Sequence, residues 1–215
     1  MTETGTPPNL RELNKRRTRE AISHAATRLF IERGFDRTTI AEVAAAAGVA
    51  KMTVTNHFPR KEDLFFDIHE ELVGRLARTV TEREPGESAL AALRRDCLTG
   101  LDRHDPWLGF SGADFARTIA DSPALGARLR ELNEQAEAAL AEALADAVHA
   151  IPVDFESRVA AALLAAVDRA VSTEVFRRTL AGEDHAAITA AVRPWAAQAF
   201  DRLEGALGNY AVREG

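Results

Sequence analysis

The chain has 215 residues, of which 46% are hydrophobic and 28% charged, a composition typical of a globular protein with one or two domains. No apolar run approaches the roughly 18 residues that a membrane-spanning helix needs, and the N-terminal residues lack the apolar segment of a secretory signal. Cys97 is the single cysteine, which excludes an intrachain disulfide. These features predict a cytoplasmic protein without a membrane partner.

Positive and negative charges are unevenly distributed along a chain whose formal net charge is −6. Residues 1–64 contain 11 Lys or Arg and 8 Asp or Glu, a net charge of +3. Residues 65–215 contain 16 Lys or Arg and 25 Asp or Glu, a net charge of −9. A basic N-terminal quarter on an acidic body favours nucleic acid as a partner of that quarter. Because its excess charge is small, a chance fluctuation is an equally good interpretation of the charge alone.

The hydrophobic pattern predicts an all-α fold, because helical spacing recurs along the chain and no strand pattern of useful length is present. Residues 1–9 contain a glycine and two prolines and are expected to form a disordered arm. A first helix is predicted from about Leu10 to Arg33, and Gly34 is a typical residue to end it. Its apolar stripe consists of Ile22, Ala25, Ala26, Leu29 and Phe30.

Two short helices joined by a glycine are predicted next. Thr39 and Glu42 have the spacing of a capping box, which opens the first of them. Gly48 can adopt the positive φ that a tight turn needs. The second short helix is predicted over about residues 50–57, and Pro59 ends it because a residue before proline is disfavoured in a helix.

A fourth helix is predicted to begin near Arg60 and to continue to about Glu84. Glu62 and Asp63 would lie in its first turn, where the helix dipole favours acidic side chains. Farther along, glycines and prolines separate longer apolar-periodic segments. The helices predicted there cover residues 87–102, 113–121, 123–149, 153–181 and 184–208.

The second short helix has an outer face that a core helix would not carry. With Val54 turned inward, a rotation of about 100° per residue places Met52 and Asn56 outward. Helix, glycine turn and short second helix form a helix-turn-helix arrangement, whose second helix fits the major groove of DNA. Asn can bond an adenine edge, and Thr or Met can contact a thymine methyl. A polar-faced helix in an ordinary bundle is the alternative. Side chains suited to bases or phosphates are Lys51, Met52, Thr53, Thr55, Asn56 and Lys61.

These residues carry a resemblance. The segment TTIAEVAAAAGVAKMTVTNHFPRKEDLF, residues 38–65, resembles the signature of the TetR family of bacterial transcriptional regulators. The similarity covers about residues 15–65 and includes Phe30, Gly34, Phe35, Thr38, Thr39, Ile40, Val43, Ala44, Ala47, Gly48, Val49, Thr53, Phe58, Pro59, Lys61, Glu62 and Leu64.

The resemblance implies an Ω-shaped homodimer that binds a double-stranded DNA operator. Residues 10–59 would form a three-helix helix-turn-helix DNA-binding domain. Residues 60–215 would form a larger helical domain that binds a small-molecule effector and dimerises. It also implies DNA contacts at Thr39, Lys51, Thr53, Thr55, Asn56, His57 and Lys61.

Three positions depart from the family pattern. Ala50 stands where the family often has a serine cap on the recognition helix. Thr55 stands where an aromatic residue usually reaches a phosphate. Arg60 replaces a serine or threonine and could itself contact phosphate.

Basic residues also cluster at the start of the first helix. Such a segment can reach the adjacent minor groove or the DNA backbone. A solvated helix start, with Glu12 and Glu20 as local partners, is an equally good interpretation. The cluster consists of Arg11, Lys15, Arg16, Arg17 and Arg19.

Family resemblance places the dimer interface on the last two long helices. Each of them has an apolar face that is broad enough to cover both an intrachain core and a partner. A purely intrachain core is the alternative. The predicted interface residues are Leu163, Val167, Val171, Val192, Trp195, Ala199 and Leu203.

Aromatic residues concentrate in a glycine-broken segment over residues 104–118. Aromatic side chains on an irregular segment can line an apolar pocket, so we predict a hydrophobic or aromatic effector. The alternative is that these side chains belong to the core. The predicted ligand-binding residues are Phe66, His69, Cys97, His104, Trp107, Phe110 and Phe115.

The predicted function is a ligand-responsive, sequence-specific transcriptional regulator that acts as a repressor and is released from a palindromic operator by its effector. An activator, a global DNA binder with little sequence preference, or a redox-responsive regulator acting through Cys97 are alternatives. An enzyme is not expected, because the histidines are scattered and no Gly-rich phosphate loop or metal-ligand motif is present. Neither a cofactor nor a metal is predicted.

Overall fold

A computed structural model describes residues 10–150 and 152–214 and confirms the all-α prediction over that range. The predicted disordered arm at residues 1–9 lies outside the described residues. None of the described helices is long and apolar enough to cross a bilayer. The α-helices are α1 Leu10–Arg33, α2 Ile40–Ala46, α3 Lys51–His57, α4 His69–Thr81, α5 Ala89–Asp102, α6 Ala113–Ala120, α7 Pro123–Ala147, α8 Phe155–Leu180, α9 His185–Asp201 and α10 Glu204–Leu207.

The chain divides into two compact units, Met1–Asp67 and Ile68–Gly215. The sequence pattern predicted a division after residue 59. The later division follows from residues 60–67, whose Leu64 and Phe65 are buried among the side chains of the N-terminal unit.

Three phenylalanine rings form the centre of the N-terminal unit. Phe30 on α1 lies 4.9 Å from Phe35 and 6.1 Å from Phe65, measured between ring centroids. Val54 and Phe58 contribute the buried side of the α3 segment. Burial of large apolar side chains of this kind stabilises the unit by roughly 1.5–3 kcal/mol each, which holds α1, α2 and α3 together.

The prediction of one long fourth helix from Arg60 to Glu84 is wrong. Glu62–Leu64 forms a single 3₁₀ turn, and α4 begins only at His69. Asp63 and Leu64 are buried in the N-terminal unit, so this segment folds back onto the unit and cannot continue as a straight helix. Glu62 and Asp63 therefore lie in a 3₁₀ turn and not in the first turn of α4.

The C-terminal unit is a helical bundle with one continuous apolar core. In it α4 packs against α7, and α8 packs against both α7 and α9. On α7 the leucines Leu125, Leu132, Leu140 and Leu144 are all buried. A second 3₁₀ turn, Pro106–Leu108, and the early end of α9 at Asp201 were not predicted.

Candidate DNA-binding surface and effector-domain residues

The start of α2 is held by a reciprocal cap. Thr39 accepts a hydrogen bond from the Glu42 backbone N–H at 3.2 Å through Oγ1, and Glu42 Oε2 accepts one from the Thr39 backbone N–H at 2.8 Å. These hydrogen bonds lower the pKa of Glu42, which therefore remains ionised at neutral pH. The capping box predicted from the spacing is confirmed, and it fixes where α2 begins.

A glycine turn links α2 to α3. Gly48 has φ +67°, and the following Val49 donates its backbone N–H to the Ala44 carbonyl at 3.0 Å. Ala50 caps α3 in an extended conformation without a side-chain hydrogen bond. The first backbone N–H groups of α3 therefore receive no hydrogen bond from the N-cap side chain. A serine, threonine, aspartate or asparagine at this position would provide one.

The outer face of α3 has the predicted composition. Met52 is 69% exposed, and Lys51 and Asn56 are also exposed. Thr53 and Thr55 lie half-buried on the flanks. No acidic residue occurs in α3. The helix thus presents one cation, one amide and one thioether to an incoming surface, with hydroxyl groups at the edges.

Thr55 is engaged within its own helix. Its Oγ1 donates to the Met52 carbonyl at 3.1 Å and lies 3.8 Å from the Met52 sulfur. A threonine hydroxyl that bonds the preceding turn is oriented along the helix and cannot reach as far as the aromatic side chain usual at this position. Thr55 remains a predicted contact of short reach.

The ammonium group of Lys61 contacts Phe35 within the N-terminal unit. Its Nζ donates to the Phe35 carbonyl at 2.7 Å and stands 4.3 Å from the centroid of the Phe35 ring. Partial burial lowers its pKa. In this conformation the ammonium group joins the segment after α3 to the Phe35 turn, so its first role is to hold the unit together.

His57 ends α3 beside basic residues of α1. Burial lowers the pKa of His57, and the charges of Lys15 and Arg19 lower it further. The imidazole is therefore neutral at pH 7 and can donate or accept a hydrogen bond but adds no charge. Lys15 is exposed and brings a cation to the same end of α3.

Arg19 was not identified as a positioning residue from the sequence. Its guanidinium donates to the carbonyls of His57 at 2.9 Å and Asp67 at 2.6 Å, and it lies 4.3 Å from the centroid of the Phe58 ring. The sequence did contain a signal for this role, because Arg19 lies on an i, i+4, i+7 stripe with Ser23 and Ala26, which are buried. A basic residue on a buried stripe indicates a partner inside the fold.

Comparison with known proteins agrees with this geometry. Residues 22–68 match the family described as bacterial regulatory proteins, tetR family, a range that contains α2, the glycine turn and α3. Residues 22–68 carry the DNA-binding region of the TetR family of bacterial transcriptional regulators. Members of this family bind DNA as dimers and respond to small-molecule ligands.

Relatives of the TetR type match well beyond the helix-turn-helix. The transcriptional regulator TcmR of Streptomyces glaucescens is 29% identical over 191 residues, which cover 82% of this chain and 84% of that protein. The transcriptional repressor Rv1474c of Mycobacterium tuberculosis is 31% identical over 116 residues, covering 54% and 58% of the two chains. The solved SmeT–triclosan complex has the same fold, with a TM-score of 0.57, 20% identity, and 93% and 96% coverage.

The predicted ligand-binding residues lie on several elements of the structure. Phe66 is buried, and its ring lies 5.3 Å from that of Phe65, measured between ring centroids. His69 opens α4 and is half-buried. Trp107 and Phe115, on the second 3₁₀ turn and on α6, are also half-buried.

His104 and Phe110 do come together, in a cluster with His185 that was not predicted from the sequence. The three ring centroids lie 5.2–5.3 Å apart, with His104 at φ +54° in the loop after α5. His185 is the first residue of α9, far along the chain, so only the tertiary fold could reveal it. The cluster joins the aromatic loop to the turn between α8 and α9.

Cys97 is buried on α5, next in sequence to a residue of a partly buried ion-pair cluster that joins three helices. Arg75 on α4 donates to Asp96 on α5 at 2.7 Å and to Asp168 on α8 at 2.5 Å. Burial, together with the nearby Asp168 carboxylate, raises the pKa of Cys97 to about 12. The Cys97 side chain is therefore a thiol at neutral pH.

The predicted dimer residues divide into exposed and buried groups. Leu163 is 40% and Trp195 56% exposed, whereas Val171 and Val192 are buried inside the unit and belong to its core. Val167, Ala199 and Leu203 are half-buried. The exposed apolar face of α8 also includes two residues outside the prediction, Phe155 at 79% and Val159 at 40% exposure.

Proposed function

We propose that the chain is a ligand-responsive repressor that binds a palindromic operator as a homodimer and is released by a small hydrophobic or aromatic molecule. The observation that carries the proposal is the outer face of α3, where Lys51, Met52 and Asn56 are exposed. Such a face offers groups that read base edges and no carboxylate that would repel phosphates. Activation through the same DNA-binding unit is the alternative, and the relatives named as repressors favour repression.

Asn56→Ala tests direct base reading. An asparagine that pairs with an adenine edge contributes about 1–3 kcal/mol of discrimination, so the substitution should relax specificity at one base position per half-site. Competition binding with operators altered at single positions measures this effect. Asn56 is exposed on a helix whose core residue is Val54, so the fold should be retained.

Lys51→Ala is the matched control on the same helix. A phosphate contact carries no sequence information, so this variant should weaken binding to all operators about equally. The slope of log affinity against log salt should also fall by about 0.9 for each phosphate that is no longer neutralised, or about twice that in a dimer. Unchanged affinity and specificity in both variants would contradict the placement of α3 in the major groove.

The proposed dimer uses the exposed apolar residues of α8 and α9. Phe155, Val159 and Leu163 recur at helical spacing on α8, and Trp195 is exposed on α9. Two helices from each chain would bury these faces in a four-helix seam. A symmetric pair would present two α3 helices to successive major grooves, which are about 34–36 Å apart.

The proposed effector site includes the aromatic segment that follows α5. The rings of His104 and Phe110 contact the His185 ring edge-on, and Trp107 and Phe115 are half-buried in the same segment. Rings with a few polar groups suit an apolar or aromatic ligand. SmeT, solved with triclosan, supports a small-molecule ligand for this fold. A thermal-shift screen should find that apolar or aromatic compounds raise Tm; stabilisation by highly charged metabolites alone would contradict this ligand class.

Redox regulation through Cys97 predicts a reactive thiol, and the environment of Cys97 favours the opposite. The side chain is buried, and its pKa of about 12 leaves almost no thiolate at pH 8. Iodoacetamide at pH 8 should therefore leave the native protein unmodified and alkylate it fully after unfolding. Mass spectrometry measures the alkylation, and rapid alkylation of the folded protein would instead support the redox alternative.

A further inference from the structure

Arg19 joins three parts of the N-terminal unit through one side chain. It donates to the carbonyl of His57, the last residue of α3, and to the carbonyl of Asp67. Its guanidinium also covers the Phe58 ring at 4.3 Å. Arginine can hold two acceptors and a ring face at once because its donors form a rigid planar fork.

Asp67 is held from a second side. The Ser23 hydroxyl, one helical turn after Arg19 on α1, bonds the Asp67 carboxylate. Ser23 is buried, and Asp67 is the last residue of the N-terminal unit, so the chain passes from it directly into the C-terminal unit. The backbone and the side chain of this boundary residue are thus both fixed to α1.

We infer that Arg19 couples the position of Asp67 to that of the recognition helix α3. A displacement of the chain at the unit boundary would move the Asp67 carbonyl, and Arg19 would then break either its bond to that carbonyl or its bond to His57. Both bonds are charge-assisted and partly buried, so breaking one has a substantial effect on the other. Arg19 would act as a positioning residue for α3. Its effect on operator binding rests on the proposed DNA-binding function.

Hydrogen exchange tests the coupling without DNA. The Phe58 N–H, which donates to the Val54 carbonyl at 2.9 Å, reports on the end of α3. In Arg19→Gln, exchange over α3 should rise about tenfold, because a charged hydrogen bond is removed. Arg19→Lys keeps the charge but not the fork and should behave similarly. Arg17→Gln, an exposed site on the same helix, should behave as wild type.

A double-mutant cycle separates coupling from general destabilisation. Asp67→Ala removes the bond to Ser23 and should raise α3 exchange about threefold in the wild-type background. The same substitution should have no further effect on α3 in the Arg19→Gln background, because the connecting side chain is already absent. Equal effects in both backgrounds, or wild-type exchange in Arg19→Lys, would overturn the inference.

Operator affinity tests the consequence for DNA binding. Arg19→Gln and Arg19→Lys should each weaken binding about tenfold while leaving the salt slope at its wild-type value. If Arg19 instead bound a phosphate directly, Arg19→Gln would lower the slope by about 0.9 for each phosphate, or about twice that in a dimer, and Arg19→Lys would restore it, which would overturn the positioning role. If the wild-type protein bound no operator, the proposed function would fail, and hydrogen exchange would still decide whether Arg19 couples Asp67 to α3.

Discussion

Leu163→Asp is expected to produce a folded monomer that binds the operator at least about 100-fold more weakly than the wild type. Leu163 is 40% exposed, so an aspartate there is solvated in the monomer and the intrachain core is unchanged. In the proposed dimer the same carboxylate would be buried against its symmetric copy, which is strongly unfavourable. Loss of the second recognition helix removes the avidity of a palindromic site, roughly a 10²–10⁴ effect.

The measurement is sedimentation velocity together with operator titration. Ile31→Asp is the matched control for oligomeric state, because Ile31 is 44% exposed but lies on α1, which is not one of the proposed interface helices. The control should remain dimeric. A Leu163→Asp protein that stays dimeric would show that the chains associate through another surface.

Gly109→Ala is expected to destabilise the C-terminal unit by about 2–5 kcal/mol. Gly109 has φ +103°, which costs an alanine about 1–2 kcal/mol. The added Cβ would also stand 2.8 Å from the Phe176 nitrogen and 3.0 Å from the Ser172 carbonyl oxygen. Both atoms belong to the backbone of α8, so the helix itself would have to move to make room for the methyl group. Overpacking of this kind destabilises by about a further 1–3 kcal/mol.

Gly182→Ala provides the control. Gly182 has φ +77° in the same unit, but apart from Gly182 and its two chain neighbours no atom of the described residues lies within 4 Å of the position that an alanine methyl group would take there. The variant should show only the conformational cost of about 1–2 kcal/mol, so the difference between the two variants measures the close approach to α8. Chemical denaturation gives both values, and equal destabilisation would contradict that close approach at Gly109.

Local signals in the sequence predicted much of the fold. The capping box of Thr39 and Glu42, Gly34 at φ +86° after α1, and the turn at Gly48 each act within a few residues. Such features depend on backbone geometry that the chain carries with it. The outward position of Met52 and Asn56 was predictable for the same reason, since one buried residue, Val54, determines the orientation of a short helix.

Features that depend on distant contacts were not predictable. The helix expected from Arg60 gives way to a 3₁₀ turn because Leu64 and Phe65 are drawn into the core of the N-terminal unit. Helical periodicity cannot reveal this, since apolar residues on a helix and on a folded-back segment look alike. Lys61 likewise resembles a phosphate ligand in the sequence, and only the fold brings the Phe35 carbonyl within its reach.

The same limit applies to the C-terminal unit. Val171 and Val192 lie in apolar stripes that serve both a core and a surface, and only the packing of α8 on α9 assigns them to the core. His185 joins His104 and Phe110 across many residues of chain, so no spacing rule could identify it. Effector chemistry varies among proteins of one fold, because function depends on the site and not on the architecture.

Binding-site selection from a random DNA pool, at near-physiological salt, tests the central claim most directly. A dimer reading DNA through α3 should enrich a palindrome whose half-sites are about one helical turn apart. The Asn56→Ala protein should then enrich the same palindrome with one base position relaxed in each half. Enrichment of no sequence by a folded wild-type dimer, or of an identical consensus by Asn56→Ala, would contradict sequence reading by the recognition helix.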